Sequence, residues 1–224
     1  MMGFDFQYML GLLPILFKYL GTTMAMATWG VVFALILALL IANIRVFSVP
    51  LLSPFCQLYI SFFRGTPLLV QLFLLYYGLP QIFPFLVGLN AFSAAVIGLT
   101  LHFAAYMAES IRAAIIGIDR SQMEASLSIG MTKLQAMKRV ILPQATRVAL
   151  PSLMNYFIDM IKSTSLAFTL GVAEIMAKAQ MEASSSFRFF EAFLAVALIY
   201  WGVVVLLTQI QNWAEYRLNK AYTR

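Results

Sequence analysis

The stretch that decides the fold is Leu20–Ile44, LGTTMAMATWGVVFALILALLIANI, which carries no Asp, Glu, Lys or Arg. A spanning helix needs about 20 such residues, because the hydrocarbon layer is roughly 30 Å thick and a helix rises about 1.5 Å per residue. Gly65–Ala108 and Ala192–Ala214 are equally free of charge. Across 224 residues, 62% are hydrophobic and 11% charged. A soluble domain carries about 25% charged residues. A chain of this size has no interior large enough to bury three such runs at once. A soluble protein is excluded, and the composition predicts an all-α, multi-pass integral membrane protein. The first run outlasts the roughly 7–15 residues of a secretory h-region, and no small-residue cleavage site follows it. It is therefore expected to stay as a span.

Five crossings are expected. Helix one covers Leu20–Ile44, with an earlier start allowed. Gly65–Ala108 is too long for one crossing, and Leu79–Pro84 with Gly88–Asn90 supplies the turn chemistry that divides it. Helix two then lies near Pro67–Leu79, entered from the amphipathic Pro54–Phe63, and helix three near Ala91–Ala114. Helix four is expected over Val148–Ala173 and helix five over Phe190–Trp213. Basic residues orient the set. With the N-terminus outside and the C-terminus cytoplasmic, the inner side holds Arg45, Arg64, Arg112, Arg120, Lys133, Lys138, Arg139, Arg147, Arg217, Lys220 and Arg224. The outer side holds Lys18, Lys178 and Arg188. The net charge of +6 thus reads as a topology signal, and no soluble basic face with interleaved aromatics points to nucleic acid. No internal repeat stands out, so residues 1–224 are expected to form one domain.

The longest inner connection is Asp119–Arg147, DRSQMEASLSIGMTKLQAMKRVILPQATR. Ser121 with Glu124 reads as a capping box, and Thr132 with Gln135 as a second. Gly130 stands where a left-handed helix stop is needed, and Pro143 is expected to interrupt the second helical run. The expected product is a short helix across the cytoplasmic face, a glycine turn, and a helix returning to the membrane. Such a helix fits a partner's groove, whereas the capping signals by themselves favour a plain amphipathic surface loop, because such boxes are common.

Ionisable groups at membrane depth cost about 2.5–3.5 kcal/mol each on insertion scales and mark pathways or pairs. Asn155, Asp159 and Lys162 share one helical face, as do His102, Tyr106 and Glu109. Two such stripes could line a cavity for a zwitterion, with Tyr156 at its edge. Two alternatives stay open: ligand contact, or local neutralisation of Asp159 by Lys162 and of Glu109 by Arg112. The 13 methionines suit adaptable helix packing, and Gly30 with Ala34 suits a close helix contact.

No Gly-x-x-x-x-Gly-Lys-Ser/Thr phosphate loop occurs, and no metal-spaced, paired-carboxylate or Ser-His-Asp cluster. The single Cys56 builds neither a disulfide nor a zinc site. The chain is expected to have no cofactor or catalytic residues of its own, so any energy it uses has to come from a partner or an ion gradient.

Three blocks point the same way. Glu124-Ala125-Ser126, Gly130 and Ile141-Leu142-Pro143 resemble the EAA motif of ABC-importer permeases, with Ser126 where that family has alanine. Arg64–Gln71 (RGTPLLVQ) resembles the signature of the polar amino acid branch, joined by Ser163–Ala167 (STSLA). The resemblance covers nearly the whole chain and implies the five-helix type I importer fold in a bacterial plasma membrane. It implies that Glu124, Ala125, Ser126, Gly130 and Pro143 belong to a coupling loop gripped by an ATPase subunit. Two ATPase subunits, which bind the ATP and Mg, would join a second permease copy or a homologue. An extracytoplasmic solute-binding protein would deliver the amino acid. His102, Tyr106, Asn155, Tyr156, Asp159 and Lys162 would line the substrate pathway. Ser165–Val172 and Phe190–Trp201 most resemble L-cystine permeases. The alternative from the residues alone is a proton-coupled secondary transporter relaying through His102, Asp159 and Lys162.

Overall fold

In a bilayer every backbone N–H and C=O has to be paired within the protein, which leaves continuous helix as the outcome for apolar runs of this kind. The computed structural model describes residues 4–220, which are helical almost throughout and contain no β-strand. Arg224, counted above among the inner basic residues, lies outside the described residues.

Helix α1, Phe6–Val46, is 41 residues long. At about 1.5 Å per residue it extends about 60 Å, twice the depth of a hydrocarbon layer. It starts well before Leu20 and takes in Lys18. Ser48 (φ 49°) and Leu51 (φ 66°) then turn the chain into α2, Leu52–Gly65. That helix stops because Thr66 precedes Pro67. A residue before proline is pushed out of the α region, and Thr66 is extended (φ −121°, ψ 148°).

Helix α3, Leu68–Phe73, passes through a wide turn, Leu74–Gly78, into α4, Leu79–Ile82. The Leu79 N–H reaches back five residues to the Leu74 carbonyl. The wide turn accommodates Pro80, which has no N–H and whose ring would otherwise press on the carbonyl four residues back. The uncharged stretch therefore divides at Phe83, extended ahead of Pro84 (φ −117°), and not at Pro80. Asn90 starts α5, Ala91–Ile116, by accepting the Ser93 N–H at 2.8 Å.

Two short helices follow, α6 (Arg120–Ser128) and α7 (Lys133–Ala136). A second wide turn, Met137–Ile141, leads into α8, Leu142–Ser163. A 3-10 segment, Thr164–Leu170, ends at Gly171, which is left-handed (φ 91°). Then come α9, Ile175–Ser186, and α10, Phe189–Asn219. Helix α9 occupies the stretch between Ala173 and Phe190, to which the sequence assigned no element. Its polar residues pair within the helix, Lys178 with Glu182 at 2.7 Å, so they do not keep it from packing.

Among the described residues, three helices are long and apolar enough to cross a membrane: Phe6–Val46, Ala91–Ile116 and Phe189–Arg217. The number rises to five if two bent pairs each count as one span, Leu52–Gly65 with Leu68–Ile82 and Lys133–Leu170 with Ile175–Ser186.

Contacts divide the chain into two compact units. The first holds the residues up to Val31, Pro67–Thr100 and Phe157–Ile210. Its core packs Leu12 and Leu16 of α1 against Ile175, Ala179 and Ala183 of α9 and Ala192, Ala195 and Ile199 of α10. The run of alanines lets these helices approach closely. A polar staple closes one end: the Asp5 N–H donates to Glu191 at 3.0 Å, Arg188 pairs with the Asp5 carboxylate, and the Tyr8 hydroxyl meets Ser186 at 2.8 Å. Gly30 is the close contact expected of it, since a Cβ there would stand 2.7 Å from the Met160 sulfur.

The second unit holds Val32–Thr66, Leu101–Tyr156 and the residues from Gln211 onward. Here the Tyr59 hydroxyl donates to the Leu101 carbonyl at 2.5 Å, and Glu109 gathers Arg45 and Arg112.

Candidate functional site

Of the loop 119–147, the first cap differs from expectation. Asp119, and not Ser121, starts α6: its carboxylate accepts the Ser121 N–H at 2.9 Å. That donor holds the Asp119 carboxyl below its ordinary value. Glu124 consequently falls too far into the helix to close a box, and its side chain is exposed. Asp ranks with Ser among the strongest caps, and it comes first in the chain.

The stop is as expected. Gly130 is left-handed (φ 84°), its N–H donates to Leu127 at 3.0 Å, and the Met131 N–H donates to Ser126 at 3.1 Å. These two bonds make a complete Schellman motif. No atom lies near the position of an added Cβ, so backbone conformation alone calls for glycine. The second box also forms. Thr132 Oγ1 accepts the Gln135 N–H at 3.2 Å, and Gln135 Oε1 accepts the Thr132 N–H at 2.9 Å.

Pro143 does not interrupt the returning helix. The wide turn Met137–Ile141 carries the Leu142 N–H back to the Met137 carbonyl and leaves room for the proline ring in the first turn of α8. Pro143 lines a cleft of about 440 Å³ together with Ile118, Arg139 and Arg147. Ser126 is buried and donates to the Gln122 carbonyl at 2.7 Å, while Glu124 and Ala125 face outward. The outward face also carries Ile129 and Leu134, which are 75% and 60% exposed. A pre-capped, internally bonded helix that leaves large apolar side chains uncovered is suited to a partner surface.

The residues expected along a pathway fall into three groups. In the second unit, the rings of His102 and Tyr106 are 5.1 Å apart and those of Tyr106 and Tyr156 6.0 Å apart. Two residues the sequence reading left out complete this group. Ser110 shares a hydrogen bond with the Tyr156 hydroxyl at 3.0 Å, and the Arg64 guanidinium lies 5.5 Å from the Tyr106 ring centre. Asn155 belongs elsewhere: its Oδ1 accepts from Gln211 Nε2 at 3.2 Å, and Gln211 also donates to Glu215. In the first unit, Asp159 and Lys162 form an ion pair of 2.6 Å with half-exposed side chains.

A further polar group escaped the sequence reading altogether. Glu174 is completely buried and meets Tyr200 of α10. It follows the left-handed corner at Gly171, beyond the last apolar residue of the expected helix four. Only its spacing three residues ahead of Ala177, a cap position for α9, could have signalled it.

Comparison with known proteins adds a consistent set of likenesses. Residues 30–220 match the family model described as "Binding-protein-dependent transport system inner membrane component". The chain is 86% identical to a probable amino-acid ABC transporter permease protein, PatM, of Vibrio harveyi, with the whole of both chains covered. It is 38% identical to the L-cystine transport system permease protein TcyL of Bacillus subtilis (strain 168), over 99% of this chain and 95% of that one. Among solved structures, an amino acid ABC transporter with histidines matches at a TM-score of 0.89 and 36% identity. That match covers 96% of this chain and 100% of the other.

Proposed function

This chain belongs to the family of binding-protein-dependent transport system inner membrane components, as a multi-pass inner-membrane permease of the amino-acid ABC transporter type, and we propose how it works within that family. Residues 1–224 act as one permease domain with five crossings, the N-terminus outside and the C-terminus cytoplasmic. A separate ATPase binds and hydrolyses ATP with Mg and docks on the loop containing Glu124, Ala125, Ser126, Gly130 and Pro143. Two ATPase subunits serve two permeases, and a solute-binding protein delivers the amino acid from outside. Membership in this family takes the place of the proton-coupled alternative.

The observation that carries the docking role is the exposed surface formed by α6, the turn at Ile129 that ends it, and α7, which carries Leu134. Asp119 at one end and the Schellman turn at the other hold the helix before any partner arrives, while Ile129 and Leu134 stay uncovered. Preorganisation of this kind lowers the entropy that docking would otherwise cost. Movement of the ATPases would then act on the same two-state pathway as the substrate.

The residues proposed for the pathway are His102, Tyr106 and Tyr156 as one group, Asp159 with Lys162 as another, and Asn155 beside Gln211, each considered by itself. Paired charges and aromatic hydroxyls of this kind suit a zwitterionic amino acid. L-cystine is the first substrate to test, on the resemblance of Ser165–Val172 and Phe190–Trp201 and on the likeness to TcyL. The test is uptake into vesicles holding the permease with its ATPase and binding protein, with unlabelled amino acids as competitors. ATP-dependent uptake competed by cystine supports the assignment, and uptake indifferent to cystine redirects it to another polar amino acid. An Ile129→Cys variant that fails to crosslink to the ATPase in an active complex would sink the docking role.

A further inference from the structure

The corner between the 3-10 segment and α9 is built around a carboxyl sealed from solvent. Gly171 turns the chain with φ 91°, and Glu174 then caps α9, its Oε1 accepting the Ala177 N–H at 2.8 Å. Its other oxygen accepts the Tyr200 hydroxyl of α10 at 3.3 Å. Glu174, Thr23 of α1 and Thr164 of the 3-10 segment are all 0% exposed. The Thr164 hydroxyl donates to the Ile161 carbonyl at 2.6 Å. The donors that meet this carboxyl are neutral groups.

Capping alone does not explain the residue. Ser, Thr, Asp or Asn satisfies a helix start with less to bury, and a buried carboxyl is costly unless its hydrogen bonds are made. What the longer Glu side chain adds is reach: one carboxyl oxygen stays with its own helix and the other crosses to Tyr200. The same corner ends the segment that leads directly out of α8 from Asp159 and Lys162.

We infer that Glu174 is a positioning residue of the transport cycle, tying the start of α9 to Tyr200 and so holding the corner at the end of the 3-10 segment that continues from the helix bearing Asp159 and Lys162. The inference rests on the transport function proposed above. An element that transmits a rigid-body displacement has to move as one piece, and a corner released from α10 absorbs the motion instead. Loss of the tie therefore spoils the transfer of ATP-driven motion to the pathway while leaving substrate delivery from outside intact.

The experiment reconstitutes the full complex, permease with ATPase and binding protein, and measures uptake and ATP hydrolysis in the same vesicles per folded transporter. Absence of ATP-dependent uptake in the wild type would overturn the transport function itself, before any variant is compared. Given wild-type uptake, Glu174→Ala is expected to lower amino acid imported per ATP by roughly fivefold or more, with half-saturation unchanged within about twofold. Glu174→Gln, which keeps an acceptor for Ala177 and a polar group for Tyr200, restores most of that ratio. Tyr200→Phe removes the tie and leaves the cap, so it lowers the ratio even if Glu174→Ala does not fold. An unchanged ratio in folded Tyr200→Phe, or uptake and hydrolysis falling in parallel in Glu174→Ala, overturns the inference.

Discussion

Arg45 Nη1 lies 3.3 Å from Glu109 Oε2, joining the last turn of α1 to α5. The other carboxylate oxygen of Glu109 accepts the Arg112 guanidinium, whose Nε is 3.1 Å away. One carboxylate thus satisfies two guanidiniums that are each largely shielded by the protein. The sequence spacing offers only Arg112, three residues on in the same helix; Arg45 comes from 64 residues away.

Glu109→Ala is expected to destabilise the protein by about 2 kcal/mol, because it leaves two arginines facing each other without a counter-charge. Thermal unfolding of the purified permease in detergent measures this, and Glu109→Asp should recover part of the loss. A neutral Glu109→Ala would mean that water already satisfies both guanidiniums.

Gly130→Val places a β-branched residue in the left-handed region, at a cost of roughly 1–2 kcal/mol. Insertion in the membrane should persist, with ATP hydrolysis in the complex uncoupled from uptake. Gly130→Asn, which tolerates that backbone better, should lie between the two. Normal uptake by Gly130→Val would remove the glycine from the coupling loop.

The two caps of the loop should separate cleanly. Thr132→Ala is expected to cost about 1 kcal/mol of local stability, and Ser121→Ala less, about 0.5 kcal/mol, since the Ser121 backbone N–H is the main donor to the Asp119 carboxylate and survives the change. Hydrogen exchange of the loop amides distinguishes them. Protection changing with Ser121 and not with Thr132 would reverse the assignment of the caps.

The Asp119 cap also has a pH signature. Its carboxyl lies below the ordinary value in the folded chain, so its contribution is complete above the unfolded value of about 3.9. The contribution is lost as pH falls through the lower folded value. Exchange of the Ser121 amide should therefore show no loss of capping from neutral pH to about 5, and a loss below about 4. Loss of protection already at pH 6 would implicate another group.

Asp159→Asn tests the pathway. The half-exposed pair with Lys162 is worth no more than about 1 kcal/mol, so the variant should unfold near the wild-type temperature. Its half-saturation for uptake should rise severalfold. Unchanged uptake with a lower unfolding temperature would leave the pair a purely local one.

Apolar runs located α5 to within two residues and the start of α10 to within one, because a long apolar segment in lipid has one way to pair its backbone, while α10 continues six residues past the expected Trp213. Gly130 and the Thr132–Gln135 box were equally legible, since both are settled within four or five residues. Ser121–Glu124 was not, because that pattern cannot say whether an equally strong cap stands two residues earlier. Helix α9 and Glu174 stayed hidden for a different reason. Lys178, Glu182 and the serines make the segment look like a loop, and only contacts from α1 and α10 convert it into packed helix. The pairing of Asn155 with Gln211 lies 56 residues away and has no local trace at all.

The wide turns ahead of Leu79-Pro80 and Leu142-Pro143 each hold one residue more than an α turn would. Such a turn is a place where reading frame along the helix and angular phase around it come apart. Deleting a single residue from Met137–Ile141 would keep both flanking faces pointing as before, but it would press the Pro143 ring on the carbonyl four residues back unless Pro143 is replaced as well. A substitution there keeps the length but cannot discard the surplus residue. Loss of one residue, with the adjoining proline replaced, should therefore be better tolerated inside these two turns than within α1, α5, α8 or α10, where the same deletion would swing every following side chain by about 100°.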